Sequence, residues 1–301
     1  MKNKLRTTFQ IMLAMIVISV VLAGSLSGTL DAMSWPSEDA VLLGNFGYND
    51  NGRPVLGMIF GGGTEILAAE KGEVIFAFDN NNNASRLPSP LGAWVAIDHG
   101  DGLISIYSRF TDKISGGTIP LTNVGKSQPI AAPGISGWSQ RDGFYFLIFD
   151  RRERHWINPA MIVTPVLNMR PPQILSASII DNQGIQAQFN NLSQGRYTIN
   201  VNAVSPAGVP AAPGNNLAPQ RIICMINGAE AGSLNFEAFS ARDGVLMVYR
   251  NGLVPAKQVY GAFPAFEAAE VSFSRGQYNM EIIVQDIAGN SRSIINRLTV
   301  N

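Results

Sequence analysis

Histidine and cysteine are almost missing from this chain: 301 residues hold two of the first and one of the second. A single cysteine excludes an internal disulfide. Cys224, flanked by Ile222-Ile223 and Met225-Ile226, is expected to be a small hydrophobe in a core strand rather than a nucleophile. Charge is sparse and cancels, with 22 basic and 22 acidic residues. A neutral chain without a basic tract is poorly suited to nucleic acid or to acidic glycans. The sequence also lacks a Gly-x-Ser-x-Gly elbow, and Gly61-Gly62-Gly63 is not followed by the Lys-Ser/Thr of a phosphate loop, so a tight turn is expected there. Long helical periodicity is missing beyond the N-terminus. What is present instead is 30 glycines and 17 prolines punctuating short Val, Ile, Phe and Tyr runs, the pattern of an all-β protein.

The N-terminus has a different character. Lys2, Lys4 and Arg6 precede an uncharged apolar run from Ile11 to Leu22, then small residues up to Gly28, before the first acid at Asp31. This reads as a signal peptide over residues 1–32, cut after Ala32 or kept as an anchor, although the run is short for a full span. No cysteine lies at the cut, which excludes a lipid-modified end. The chain is therefore expected to be exported, periplasmic or envelope-associated, with membrane contact only through this segment.

Two regions follow. In residues 35–165, strands are expected at Glu65–Ala68, Gly72–Phe78, Ala93–Asp98, Leu103–Phe110 and Gly143–Asp150, with the polar Asn80–Ser85 run as a loop. Pro171-Pro172 marks a stiff connector. Residues 171–301 carry further short strands, among them Arg221–Ile226, Tyr278–Gln285 and Ser291–Val300, at the spacing of a β-sandwich. Gly276-Gln277-Tyr278 leading to Asp286-Ile287-Ala288-Gly289-Asn290 resembles the last hairpin of bacterial immunoglobulin-like modules.

The order of blocks in the first region resembles the M23 (LytM-like, lysostaphin-type) zinc endopeptidases. The blocks are Asn45-Phe46-Gly47, Gly57–Phe60, Thr64–Ala77, Gly92–Leu103, Ile106–Phe110, Tyr145–Asp150 and Trp156–Pro159. The resemblance implies an M23-like antiparallel β-sheet core followed by an immunoglobulin-like β-sandwich. It also implies a zinc held by a His and an Asp four residues apart and by the second His of a His-x-His strand. Matched by motif, those positions are Val55, Ile59, Phe146 and Ile148, and a further catalytic histidine falls on Arg109. None of these side chains can ligate zinc. With only His99 and His155 in the chain, a shift of one or two residues does not restore the site.

His99 is expected to be a turn residue bonded to nearby backbone. His155 is expected to belong to a basic surface cluster with Arg151, Arg152 and Arg154. Arg109, near a dry site, must be paired or reach water, with Asp98, Asp150 and Glu65 as possible carboxylate partners. Tyr107, Trp138 and Tyr145 are candidates for contacts in the old groove. The function so implied is non-catalytic: a pseudo-peptidase without cofactor or metal that binds peptidoglycan or regulates a cell-wall hydrolase. The alternatives are a zinc endopeptidase with an atypical site and a purely structural envelope protein.

Overall fold

The computed structural model describes residues 32–50, 52–78, 89–114, 122–139, 141–163, 170–206, 215–261 and 264–301, with side chains of 112–114 excepted. The signal segment through Asp31 and the Asn80–Ser85 loop lie outside the described residues. Among the described residues no helix is long and apolar enough to cross a membrane.

The architecture is all-β and antiparallel. The principal strands of the N-terminal half are β1 (Val41–Gly44), β2 (Met58–Gly61), β3 (Gly72–Phe78), β4 (Ala93–Asp98), β5 (Leu103–Ile114), β6 (Pro129–Pro133), β7 (Gly143–Asp150) and β8 (His155–Ile157). Those of the C-terminal half are β9 (Gln173–Asp181), β10 (Gly195–Pro206), β11 (Arg221–Ile226), β12 (Ala229–Arg242), β13 (Val245–Arg250), β14 (Ala265–Phe273), β15 (Gly276–Gln285) and β16 (Ser291–Val300).

β7 is the organising strand of the first half. One of its edges pairs with β5, and the other is shared, first by β2 and then by β8. β5 continues the sheet through β4 to β3. Residues paired across strands lie on one face. Met58, Phe146 and Tyr107 therefore share a face, and Ile59, Tyr145 and Ser108 share the other. The first face closes over a core with Phe60, Phe144, Phe146, Ile148, Val95 and Ile97. Just before β2, a Cβ on Gly57 would lie 2.1 Å from the Phe146 carbonyl oxygen, so only glycine lets this backbone approach β7.

The second half has its own core. β9, β10 and β14 form one sheet, and β11, β12, β15 and β16 lie in the other, with Ile179, Ile199, Phe266, Ile222, Phe236 and Ile282 in the cluster between them. In its last turn the Asp286 carboxylate accepts the backbone N–H groups of Ala288 and Asn290, each at 2.9 Å. Cys224 is fully buried in β11, and burial pushes its thiol up to about 12, so it is protonated and inert at neutral pH.

The halves are joined by more than the connector. β8 pairs with β12 at His155–Ser240, Trp156–Phe239 and Ile157–Ala238, and one sheet runs from β16 to β3. Further links cross beside it: the Asn45 and Asn158 amides donate to the Ala218 and Phe236 carbonyls at 2.9 and 3.0 Å, and the Tyr260 hydroxyl donates to the Gly47 carbonyl at 2.8 Å. Met33–Asn301 accordingly forms one compact unit.

Candidate functional site

The side of the first sheet facing away from its core carries a cleft of about 450 Å³ lined by Tyr48, Ile59, Arg109, Trp138, Arg141 and Asp142, among others. Each is placed by local rules. In β2, alternation sends Met58 and Phe60 into the core and leaves Ile59 half-buried on the cleft side. Trp138 stands in the loop between β6 and β7. That loop is tied to the start of β4: the Ser136 hydroxyl accepts the Ala93 N–H at 3.1 Å, and the Trp138 N–H donates to the Pro90 carbonyl at 3.1 Å. The indole is 74% exposed, an uncommon state for tryptophan in a site held this firmly.

Arg109 arrives by a different route. The β4–β5 register passes from Trp94–Ser108 to Ala93–Phe110, leaving Arg109 as the extra residue of a bulge, with φ of 68°. A non-glycine residue in the left-handed region costs roughly 1–2 kcal/mol. The bulge turns the side chain onto Tyr145, with the guanidinium carbon 4.9 Å from the ring centroid. Tyr145 is held from behind, its hydroxyl accepting the Leu56 N–H at 2.7 Å, and burial pushes its pKa up. The carboxylates expected to pair with Arg109 do not. Asp98 pairs with Arg151 at 3.4 Å and Asp150 with Arg152 at 3.7 Å, and no ion pair joins Glu65 to Arg109. Arg109 Nε is buried without a hydrogen-bond partner among the described residues, and so is the hydroxyl of neighbouring Ser108.

Two groups of sequence-matched residues require correction. Phe146 and Ile148 lie in the core, facing away from Ile59 and Arg109, while Tyr145 and Leu147 occupy the cleft-side positions of β7. The stretch Phe144-Tyr145-Phe146-Leu147-Ile148-Phe149 is apolar throughout, so nothing in its sequence distinguishes one face from the other. Tyr107 is also removed from the groove: it is completely buried, and its hydroxyl accepts the Ala69 N–H at 2.8 Å. Burial pushes its pKa up to about 12. Val55 is buried in the turn before β2, its N–H donating to the Tyr48 carbonyl at 2.8 Å. The cleft thus brings together Ile59, Arg109 and Trp138 from the expected set, with Tyr145 against Arg109. It adds Tyr48, Arg141 and Asp142, which come from turns without a motif.

The zinc implied by the resemblance does not fit these residues. Valine, isoleucine, tyrosine and leucine offer no set of converging nitrogen, sulfur or carboxylate donors, and a fixed guanidinium repels a dication. Among the described residues no group of three or more His, Cys, Asp or Glu side chains gathers anywhere.

His99 ends a buried hydrogen-bond chain on the core side. Its Nδ1 lies 2.8 Å from the Lys71 carbonyl and so carries a proton. Nε2 lies 2.7 Å from the Ser105 hydroxyl, which is 3.2 Å from the Tyr107 hydroxyl. Burial lowers the imidazole pKa, against the opposing effect of the Lys71 carbonyl, Glu70 and Asp98.

A protein-family model matches residues 171–301. No curated protein matches the chain. Among solved structures, a variant of the catalytic domain of the prophage-encoded M23 protein EnpA from Enterococcus faecalis is similar, at 20% identity and a TM-score of 0.33, covering 42% of this chain and 94% of that one. The SpoIIQ–SpoIIIAH pore forming complex is matched at 18% identity and a TM-score of 0.33, over 45% of this chain and 92% of the other. The antimicrobial peptidase lysostaphin from Staphylococcus simulans is matched at 16% identity and a TM-score of 0.31, over 80% of this chain and 98% of that one.

Proposed function

We propose that this is an exported, non-catalytic cell-envelope protein that uses the Arg109–Tyr145–Trp138 cleft to bind peptidoglycan or to engage a cell-wall hydrolase. The observation that carries this reading is the chemistry of the cleft. Of the positions that resemblance assigns to zinc and its base, Ile59 and Arg109 line the cleft and supply an apolar side chain and a cation, and the cleft also holds a largely exposed tryptophan and has the arginine over a tyrosine ring. Such a surface can bind by stacking and charge but offers no ligand set for a Lewis acid that would activate water. Residues 171–301 act in this reading as an immunoglobulin-like sandwich that holds the cleft-bearing half at a fixed angle.

The test joins two measurements on the purified exported chain. Metal analysis and muropeptide release, each with and without chelator, should give no stoichiometric zinc and no release. Sedimentation with sacculi, or capture of a wall hydrolase, should persist in chelator and weaken at least about tenfold in Trp138→Ala, the loss of one stacking anchor. Stoichiometric zinc with release abolished by chelation would sink the proposal.

A further inference from the structure

Among the described residues Arg250 is buried and Arg109 half-buried with a buried Nε, and the fold treats the two in opposite ways. Arg250 is 8% exposed and fully accompanied: its guanidinium meets Glu270 at 2.8 Å and Glu267 at 3.5 Å. This is the expected treatment of a structural arginine, because a sequestered cation without acceptors is costly. Among the described residues Arg109 makes no ion pair, and its Nε is buried and unpartnered beside the unpartnered hydroxyl of fully buried Ser108. Its backbone is held in the left-handed region, where glycine would sit without strain. Strain and an unpartnered buried nitrogen thus fall on one residue, which lines the cleft.

We propose that Arg109 is the recognition residue for a carboxylate and that the occupant of the cleft is a peptide presenting one. This inference rests on the groove reading above and specifies its ligand. With one flank stacked on Tyr145, the guanidinium keeps its edge for a planar, bidentate acceptor. The cleft is amphoteric, since Asp50 and Asp142 also line it. Those acids oppose a dianionic phosphate more than a carboxylate and suit a peptide that also carries an amine. Trp138 and Ile59 provide apolar surface for its side chains.

The experiment uses the whole exported chain and one probe in two forms, acetyl-Lys-D-Ala-D-Ala as the free acid and as its C-terminal amide, titrated calorimetrically at low ionic strength. The acid should bind at least about tenfold more tightly than the amide, the worth of one charge-assisted hydrogen-bonded contact. Arg109→Gly suits the local backbone and should fold at least as stably as the parent, yet bring the acid down to the level of the amide. Arg109→Lys, which keeps the charge and loses the fork, should fall between. Equal binding of acid and amide, preference for the acid retained in Arg109→Gly, no binding of either form, or inorganic phosphate displacing the acid at equal concentration would each overturn the assignment. Sacculus sedimentation run in parallel separates the two levels. Sacculi bound without discrimination between acid and amide defeat this inference alone, whereas loss of both sacculus and hydrolase binding defeats the groove reading too.

Discussion

The two faces of the N-terminal sheet are built from the same strands, yet they complete their polar groups in opposite ways. On the core face the Lys71 carbonyl, His99, Ser105, Tyr107 and the Ala69 N–H form a chain in which each member has a partner. One residue further along β5, the buried Ser108 hydroxyl and the Nε of cleft-lining Arg109 have no partners among the described residues. Buried polar groups are normally satisfied. The contrast teaches that adjacent residues of one strand can differ in how fully the fold completes their polar groups. Other buried side chains without partners among the described residues lie in the C-terminal half, at Asn200, Ser205, Asn235, Ser240 and Asn296.

Three measurements would break or sharpen that contrast. The largest effect should come from Phe146→Ala on the core face, at about 3–5 kcal/mol of unfolding free energy. Ile59→Ala, half-buried on the cleft face, should cost clearly less in the same urea titrations. Equal losses would mean that the faces do not differ as described. Tyr107→Phe should come next, at about 1–3 kcal/mol, because it leaves the Ala69 N–H and the Ser105 hydroxyl short of a partner in a dry core. A neutral result in chemical denaturation would show that water reaches the chain of hydrogen bonds.

The smallest effect concerns pH. The folded state lowers the pKa of His99 below its ordinary value of 6.5, with burial the main cause. Below 6.5 the unfolded chain therefore takes up a proton more readily than the folded one. The contribution of His99 is fully present above 6.5 and is lost as pH falls toward the lowered folded value. Denaturation midpoints compared at pH 7.5 and 5.5 should drop more in the parent than in His99→Asn. An equal drop would assign the acid sensitivity to other groups.

Much of the fold was legible because the strands are short and bounded by glycine, asparagine or proline. Gly72–Phe78, Ala93–Asp98, Gly143–Asp150 and Arg221–Ile226 coincide with observed strands. Facing was harder to read. β7 is apolar on both sides, so Phe146 and Ile148 were indistinguishable from Tyr145 and Leu147 until pairing with β2 and β5 fixed the parity. In β15 the facing is plain from pairing: Met280, Ile282 and Val284 are buried and Glu281 and Ile283 only partly so. The Arg109 bulge leaves no mark in Ile106–Phe110, because a bulge is defined by its partner strand and not by its own residues. Arg141 and Asp142 reach the cleft through the path of a loop, which local sequence does not encode.

The pairing of β8 with β12 also bears on how this chain can be inherited. Residues 171–301 begin at a double proline and look, in the sequence, like a cassette that can be moved between genes. In backbone hydrogen bonding there is no seam: removing either half would strip β8 or β12 of a neighbour at His155–Ile157 or Ala238–Ser240 and leave a raw, sticky edge. Deleting either side of Pro171 would therefore uncover the other, and the two halves are best kept together.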